Sequence, residues 1–118
     1  MIIRFIKPDV TANSAKLTVH KTGKLGLSKG AMELLNTAKN RFVRFGFGED
    51  DQLLMEVSHD AKENSFPIGK AGDYDYINAR TMLDELGVDY MAKQTIIYDI
   101  KKTAEEGFFR LHQRVIKK

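Results

Sequence analysis

The chain has 118 residues, of which 42% are hydrophobic and 30% charged, and it contains no cysteine. This length suits one domain covering residues 1–118, and the composition supplies enough apolar surface for one core. The lack of cysteine excludes a disulfide scaffold, a thiolate nucleophile and a cysteine-ligated metal site. The net charge of +3 favours an anionic partner without identifying one.

The first residues predict a short apolar strand over residues 1–6, which Pro8 ends, followed by a polar loop over Thr11–Ala15. The apolar run is far too short to span a membrane and lacks the features of a signal peptide. Together with the absence of cysteine, this predicts a cytoplasmic protein with no membrane partner.

The first half of the chain predicts strands around a short helix. Lys16–Val19 alternates like a strand, a turn follows at Thr22-Gly23, and Ser28 is a good N-cap for a helix that ends near Asn36. Leu27 and Met32 stand at the positions of a hydrophobic staple around that cap. After the helix, a hairpin is predicted from two strands, Arg41–Phe47 and Leu53–Val57, joined by a turn at residues 48–51.

The second half predicts the same order of elements. Tyr74–Ile77 is a short strand, Asn78 a plausible N-cap, and Gly87 a helix-ending residue. A hairpin follows, made of Thr95–Ile100 and Phe108–Val115 with a turn over residues 101–107. The secondary structure between Asp60 and Asp73 stays open.

The repeated order predicts an α+β fold, in which two βαββ-like halves (about 16–60 and 70–116) pack as one small β-barrel or curved sheet with two short helices. Each half alone is too small to cover its apolar face, and closure into a barrel also removes exposed strand edges. The predicted core residues are Leu25, Leu27, Leu34, Leu35, Val43, Phe45, Leu54, Ile77, Met82, Leu86, Ile97 and Leu111.

The run from Gly23 to Lys29 (GKLGLSK), a leucine closing the helix at Leu35 and the strand Phe42–Phe47 resemble the AbrB/SpoVT family of swapped-hairpin DNA-binding domains. The resemblance covers residues 17–57 and extends to barrels related to that family that bind no DNA. It implies a DNA-binding transcription regulator, and a chain with two such units implies an internal pseudo-dimer.

The sequence departs from the family pattern at three places. Lys24 stands where arginine is usual after the glycine, and Met32 stands at a helix position that often carries arginine. Residues 37–40 (TAKN) replace the familiar Gly-Asp turn before the hairpin. These departures fall on charged and turn positions, so they bear on function more than on the order of strands.

Between Lys16 and Arg44 lie seven basic residues and one acidic residue, Glu33, a local net charge of +6. Binding to phosphates requires several cations on one surface, because each neutralised phosphate releases counterions. The alternative is a solvated surface that keeps the protein in solution. The residues predicted to contact phosphates are Lys21, Lys24, Lys29, Arg41 and Arg44.

Enzymatic and metal sites find little support in the sequence. Residues 26–30 (GLSKG) match the G-x-S-x-G nucleophile elbow, but capping already explains Ser28, and the chain is far shorter than an α/β-hydrolase. The three histidines are scattered, without the spacing of a helical metal site. We therefore predict no catalytic residue, no metal, no cofactor and no small-molecule substrate.

The leading hypothesis is a non-enzymatic nucleic-acid-binding or regulatory module. The alternative is a protein-interaction or assembly module that binds a second copy or another protein and no nucleic acid. The C-terminal basic residues from Arg110 onward, including Lys117 and Lys118, fit either hypothesis, since such a tail adds non-specific affinity for nucleic acid or remains in solvent.

Overall fold

The computed structural model describes residues 1–3, 15–91 and 93–116. Within these ranges the protein forms eight strands, two α-helices and a one-turn 3-10 helix at Glu49–Asp51. The elements are β1 (Lys16–Val19), β2 (Lys24–Leu27), α1 (Lys29–Leu35), β3 (Phe42–Phe47), β4 (Leu53–Ser58), β5 (Phe66–Ala71), β6 (Tyr74–Asn78), α2 (Arg80–Glu85), β7 (Thr95–Lys102) and β8 (Phe108–Ile116).

The eight strands close into one antiparallel barrel in the order β1-β2-β6-β5-β3-β4-β8-β7. The predicted α+β class with a barrel and two short helices agrees with this architecture. The order along the chain is β-β-α-β-β twice, so each half has one strand more before its helix than a βαββ unit. The strands β1, β2, β3 and β4 of the first half correspond to β5, β6, β7 and β8 of the second. When each strand is replaced by its counterpart, the list of hydrogen-bonded neighbours stays the same. Strands of the two halves therefore alternate in pairs around the barrel.

The first helix begins where the sequence predicts. Ser28 is the N-cap, and its hydroxyl accepts a hydrogen bond from the amide of Ala31 at 3.1 Å, which satisfies one of the orphan donors of the first turn. The same hydroxyl accepts the amide of Lys16 at 3.0 Å. Ser28 thus ties the helix start to β1, and Asn36 ends the helix in the left-handed conformation (φ 51°).

The second helix differs from the prediction at its start and agrees with it at its end. Asn78 is the last residue of β6, the N-cap is Ala79, and no side chain caps this helix, so the predicted Asn78 cap is wrong. The register of β6 explains this, because Asn78 still pairs with Lys24 of β2. Gly87 (φ 70°) ends the helix, as predicted, with its amide on the carbonyl of Asp84.

The barrel interior contains most of the predicted core. Ten of the twelve predicted residues are members of the core cluster or pack against it, and burying one such aliphatic side chain contributes about 1.5–3 kcal/mol. The exceptions are Leu54 and Ile97. Leu54 is only partly buried and is wrong as a core residue, because it stands one residue out of phase with Met55, which faces the interior, and alternate side chains of a strand point to opposite faces. Ile97 is buried, at 8% exposure, as predicted, although it lies outside the cluster that contains Ile96 and Tyr98.

The segment left open by the sequence contains β5 (Phe66–Ala71), which pairs with β6 and β3. Its pattern was obscured because only Phe66 and Ile68 are apolar and turned inward, while Pro67 and Gly69 interrupt the run. Residues 1–3 form no strand and are exposed, so the prediction of a strand over residues 1–6 is wrong for this part. The rest of that segment, the loop over Thr11–Ala15 except its last residue, and Lys117 and Lys118 lie outside the described residues.

Candidate nucleic-acid interface

The five residues predicted to contact phosphates do not lie on one surface. Lys21 and Lys24 are exposed at the β1–β2 hairpin, and Lys29 is exposed as the first residue of α1. Arg41 and Arg44 belong to the β3 end of the same half. In the barrel, β6 and β5 separate β2 from β3, which puts about 14 Å between the strand of Lys24 and that of Arg44 at the usual strand spacing.

The guanidinium of Arg41 is occupied by contacts within the protein. It donates to the carbonyl of Thr37 at 3.0 Å, to the Asp75 carboxylate at 3.1 Å and to the carbonyl of Ile68 at 2.7 Å. The Asp75 side chain is only 7% exposed, and a buried carboxylate requires such a partner. Arg41 thus fastens the chain after α1 to β5 and β6.

Arg44 also has a partner. Its guanidinium lies 2.7 Å from a carboxylate oxygen of Glu56, the residue opposite it on β4. Lys62 reaches the other oxygen of the same carboxylate at 3.5 Å. This group of two cations and one carboxylate has a net charge of +1, so the surface of β3 and β4 offers less free positive charge than the sequence suggests.

The outward-facing side of β1, β2, β6 and β5 has a different character, and we call it the basic face. Its outward positions carry Lys16, Thr18, His20, Lys24, Gly26, Tyr74, Tyr76, Asn78, Pro67, Gly69 and Ala71. Within these four described strands, none of the outward positions bears a carboxylate. The one acid of these strands, Asp75, is buried and bound to Arg41.

Aromatic rings lie close against the backbone of the basic face. A Cβ added to Gly69 would lie 2.6 Å from Cζ of Tyr76, and one added to Gly26 would lie 2.6 Å from Nε2 of His20. The glycines therefore make room for the two rings. The ammonium of Lys24 lies 4.7 Å from the centroid of the Tyr76 ring, within the range of a cation–π contact. This contact holds the lysine across the junction of β2 and β6.

Arg80 lies next to the basic face, in contact with the β1–β2 turn, and no pattern in the sequence predicts this position. It is the first residue of α2, yet its guanidinium donates to the carbonyl of Thr22 in the β1–β2 turn at 3.2 Å. Its Cβ lies 3.0 Å from the position of a Cβ on Gly23, so the turn and the helix are in close contact. The two residues are 58 apart in sequence, and no local pattern connects them.

Several cations on this side of the barrel have no carboxylate partner within the described ranges. Among the described residues, no salt bridge involves Lys21, Lys24, Lys29 or Arg80. Unpaired, exposed cations on a surface without carboxylates produce a positive potential that attracts anions. The arrangement suits a polyanion that crosses the β2–β6 pair.

The structure offers little for the alternative chemistries. In the described part of the chain, no group of three or more histidine, aspartate or glutamate side chains is arranged to hold a metal ion. Ser28 binds backbone amides, as described above. None of the described helices is long and apolar enough to cross a membrane.

Comparison with protein-family models, with curated proteins and with solved structures finds no match for this chain.

Proposed function

We propose that the protein is a non-enzymatic nucleic-acid-binding module that contacts phosphates with the basic face. The observation that supports this is that unpaired cations of both halves, Lys21 and Lys24 from the first and Arg80 from the second, meet beside the β2–β6 pair, whose outward positions bear no carboxylate. Arg41 and Arg44 leave the set of proposed contacts, because both are bound to carboxylates within the protein.

Phosphate contacts account for the residue types on this face. Flexible lysines neutralise phosphates without reading sequence, while Asn78 and the hydroxyls of Tyr74 and Tyr76 can donate hydrogen bonds to phosphate or sugar oxygens. The AbrB-like run from Gly23 to Lys29 supports DNA as the polymer. In this proposal the chain is an internally duplicated barrel of that type, and the unchanged strand pairing on exchange of the halves supports it.

Fluorescence anisotropy with labelled duplex and single-stranded DNA tests the proposal across about 50–200 mM salt. We expect binding that weakens steeply with salt. The double variant Lys21→Glu/Lys24→Glu should weaken binding by about tenfold or more and reduce the salt slope by about 2, since two phosphate contacts are lost.

The matched control is Lys101→Glu/Lys102→Glu, which makes the same change in net charge at exposed residues at the end of β7. It should retain most of the binding. Equal losses in the two double variants would mean that overall charge and no particular face determines binding. No binding of the unaltered protein at the lowest salt would reject the function itself.

Arg80→Glu tests the contribution of the second half separately. The expected result is a loss of binding comparable to that of Lys24→Glu alone, with an unchanged circular dichroism spectrum. Unaltered binding would restrict the interface to the β1–β2 hairpin.

A further inference from the structure

β8 extends well beyond the strand that pairs with it. It runs from Phe108 to Ile116, but its register with β4 covers only residues 108–110. β4 begins at Leu53, which is in line with Leu111 of β8. No described strand pairs with residues 112–116 on this side, although all of them pair with β7 on the other. The described part of the barrel therefore keeps a short open edge along β8.

The hydrogen-bonding groups on this edge follow from the alternation of an antiparallel ladder. The amide of Val57 in β4 donates to the carbonyl of Gly107 at 3.0 Å, so the main-chain groups of Gly107 point toward β4. Every second residue does the same. Beyond the end of β4, the N–H and C=O groups of Gln113 and Val115 therefore point to the open edge.

A groove of about 590 Å³ lies where β4 would continue. Its walls include inward-facing residues, such as Leu111 and Gln113, and outward-facing ones, such as Arg110 and His112. Both faces of β8 border the same space because the space is a vacant strand position beside it. Its size is within the range of ligand pockets in proteins.

The side chains around the groove define the occupant. Two exposed cations border the groove, Arg110 of β8 and Lys101 opposite it on β7, and neither has a salt bridge among the described residues. Arg114, farther along β8, is already bound to Asp99. Opposite charges stabilise cross-strand pairs, so the outward positions of an added strand should be acidic. On the inward side the groove is bordered by Leu53, Leu86 and Phe47, and the Phe47 side chain is unusually exposed for a phenylalanine, at 62%.

We propose that the open edge of β8 binds an extended segment of a partner protein in which acidic and apolar residues alternate. Main-chain hydrogen bonds to Gln113 and Val115 would supply affinity, and the alternation of side chains would supply specificity, as in other cases of strand addition. This binding site is independent of the basic face.

Charge disfavours a second copy of the chain as the occupant. β8 (FFRLHQRVI) carries no acidic residue that a second copy could place against the cations of the groove, and opposite charges are what stabilise a cross-strand pair.

Nuclear magnetic resonance titration tests this inference with two synthetic eight-residue peptides, one alternating valine with glutamate and one alternating valine with lysine. The glutamate peptide should shift the amide signals of Gln113 and Val115, and the lysine peptide should not. Equal effects of the two peptides, or shifts only elsewhere, would overturn the proposal.

Two variants locate the binding. Val115→Pro removes a donor from the open edge without removing a hydrogen bond to β7, and should weaken binding of the glutamate peptide at least about tenfold, while Val115→Thr retains the amide and should bind normally. Arg110→Glu/His112→Glu changes only exposed side chains and should reverse the preference between the peptides, which tests the charge argument even if the proline variant is unfolded.

Analytical ultracentrifugation of the unaltered protein tests whether a second copy occupies the edge. We expect the mass to remain that of one chain as the protein concentration rises. A dimer that Val115→Pro abolishes would show that a second copy occupies the edge, and would reject a partner of acidic and apolar alternation.

Discussion

The two sides of the barrel differ in how their basic residues are partnered. On the basic face, Lys24 has no salt bridge among the described residues. On the side formed by β3, β4, β8 and β7, the guanidinium of Arg44 is bound to Glu56 and that of Arg114 to Asp99, with Nη2 and Oδ1 3.0 Å apart. Of the cations that the structure describes there, only the exposed ones at residues 101, 102 and 110 have no such partner. The density of lysine and arginine along a chain thus says little about free charge. Acidic residues on neighbouring strands decide which cations remain available, and those neighbours come from distant parts of the sequence.

We expect the largest effect from Arg41→Ala, which tests whether Arg41 stabilises the fold and, unlike the cations of the basic face, takes no part in DNA binding. Removing one partner of a buried ion pair leaves the Asp75 carboxylate uncompensated and should lower the free energy of unfolding by about 3 kcal/mol. Urea denaturation measures this loss. DNA binding of the folded variant should stay within about twofold of the unaltered protein, and a loss of binding without a loss of stability would return Arg41 to the interface.

The second prediction concerns a variant in which the cations on the side formed by β3, β4, β8 and β7 lose their carboxylate partners, as on the basic face. Glu56→Gln/Asp99→Asn releases Arg44 and Arg114 from their carboxylates and should raise affinity for DNA severalfold, with a salt slope steeper by up to about 2. The control, Glu105→Gln/Glu106→Gln, removes the same charge from exposed residues of the β7–β8 turn. If both variants gain affinity equally, net charge and not the release of particular cations explains the difference between the sides.

The interior differs between the two sides as well. Leu17, Leu25 and Ile77 line it beneath the basic face, while Tyr98 lies beneath β7 and β8, and its hydroxyl donates to Gln113 at 3.0 Å. Burial raises the pKa of Tyr98 above its ordinary value near 10. The folded protein therefore holds this proton more tightly than the unfolded chain does, and the resulting stability is complete below about pH 10 and is lost as the pH rises through the folded pKa.

Tyr98→Phe should accordingly flatten the alkaline decline in the free energy of unfolding, at a cost of about 1 kcal/mol near neutral pH for the lost hydrogen bond. Denaturation at pH 7 and at several values above pH 9 measures both effects. An alkaline decline equally steep in the variant would assign it to another group.

The smallest effect is expected from Gly69→Ala. The added Cβ would lie 2.6 Å from the Tyr76 ring, so the ring and the Lys24 ammonium beside it must shift, and DNA affinity should fall about twofold, because a shifted phosphate contact is weakened and not abolished. Gly46→Ala on β3 is the matched control, because its Cβ would meet no atom within 4 Å. Equal affinities of the two variants would mean that the ring position does not matter for binding.

Local patterns in the sequence were sufficient for the elements that local interactions determine. The Ser28 cap, the helix end near Asn36, the Gly87 helix end and most of the strands agree with the structure, because each depends on residues within a few positions. The pattern was insufficient where tertiary pairing decides. Asn78 remained in a strand because Lys24 of the other half pairs with it, and β5 has too few inward apolar residues to be recognised alone.

The candidate site shows the same division. The sequence placed Lys21 and Lys24 at a turn, where they are exposed, but it grouped them with Arg41, which is an internal contact in the structure. It missed Arg80, because contact across 58 residues leaves no periodic signal. In runs such as Ile96-Ile97 both residues are apolar, so the sequence does not indicate which of them faces the barrel interior. Only the pairing of β7 determines this.

The class of fold could be predicted from the amino-acid sequence alone, together with the positions of the two short helices, most of the core and the excess of positive charge in the first half. These properties follow from composition, periodicity and capping, which act over short stretches of chain. Tertiary pairing determines which cations are neutralised, which strand edge stays open beside β8, and how the cations of the two halves come to share one face. Those properties depend on interactions between strands far apart in sequence, and closure of the barrel brings these strands together.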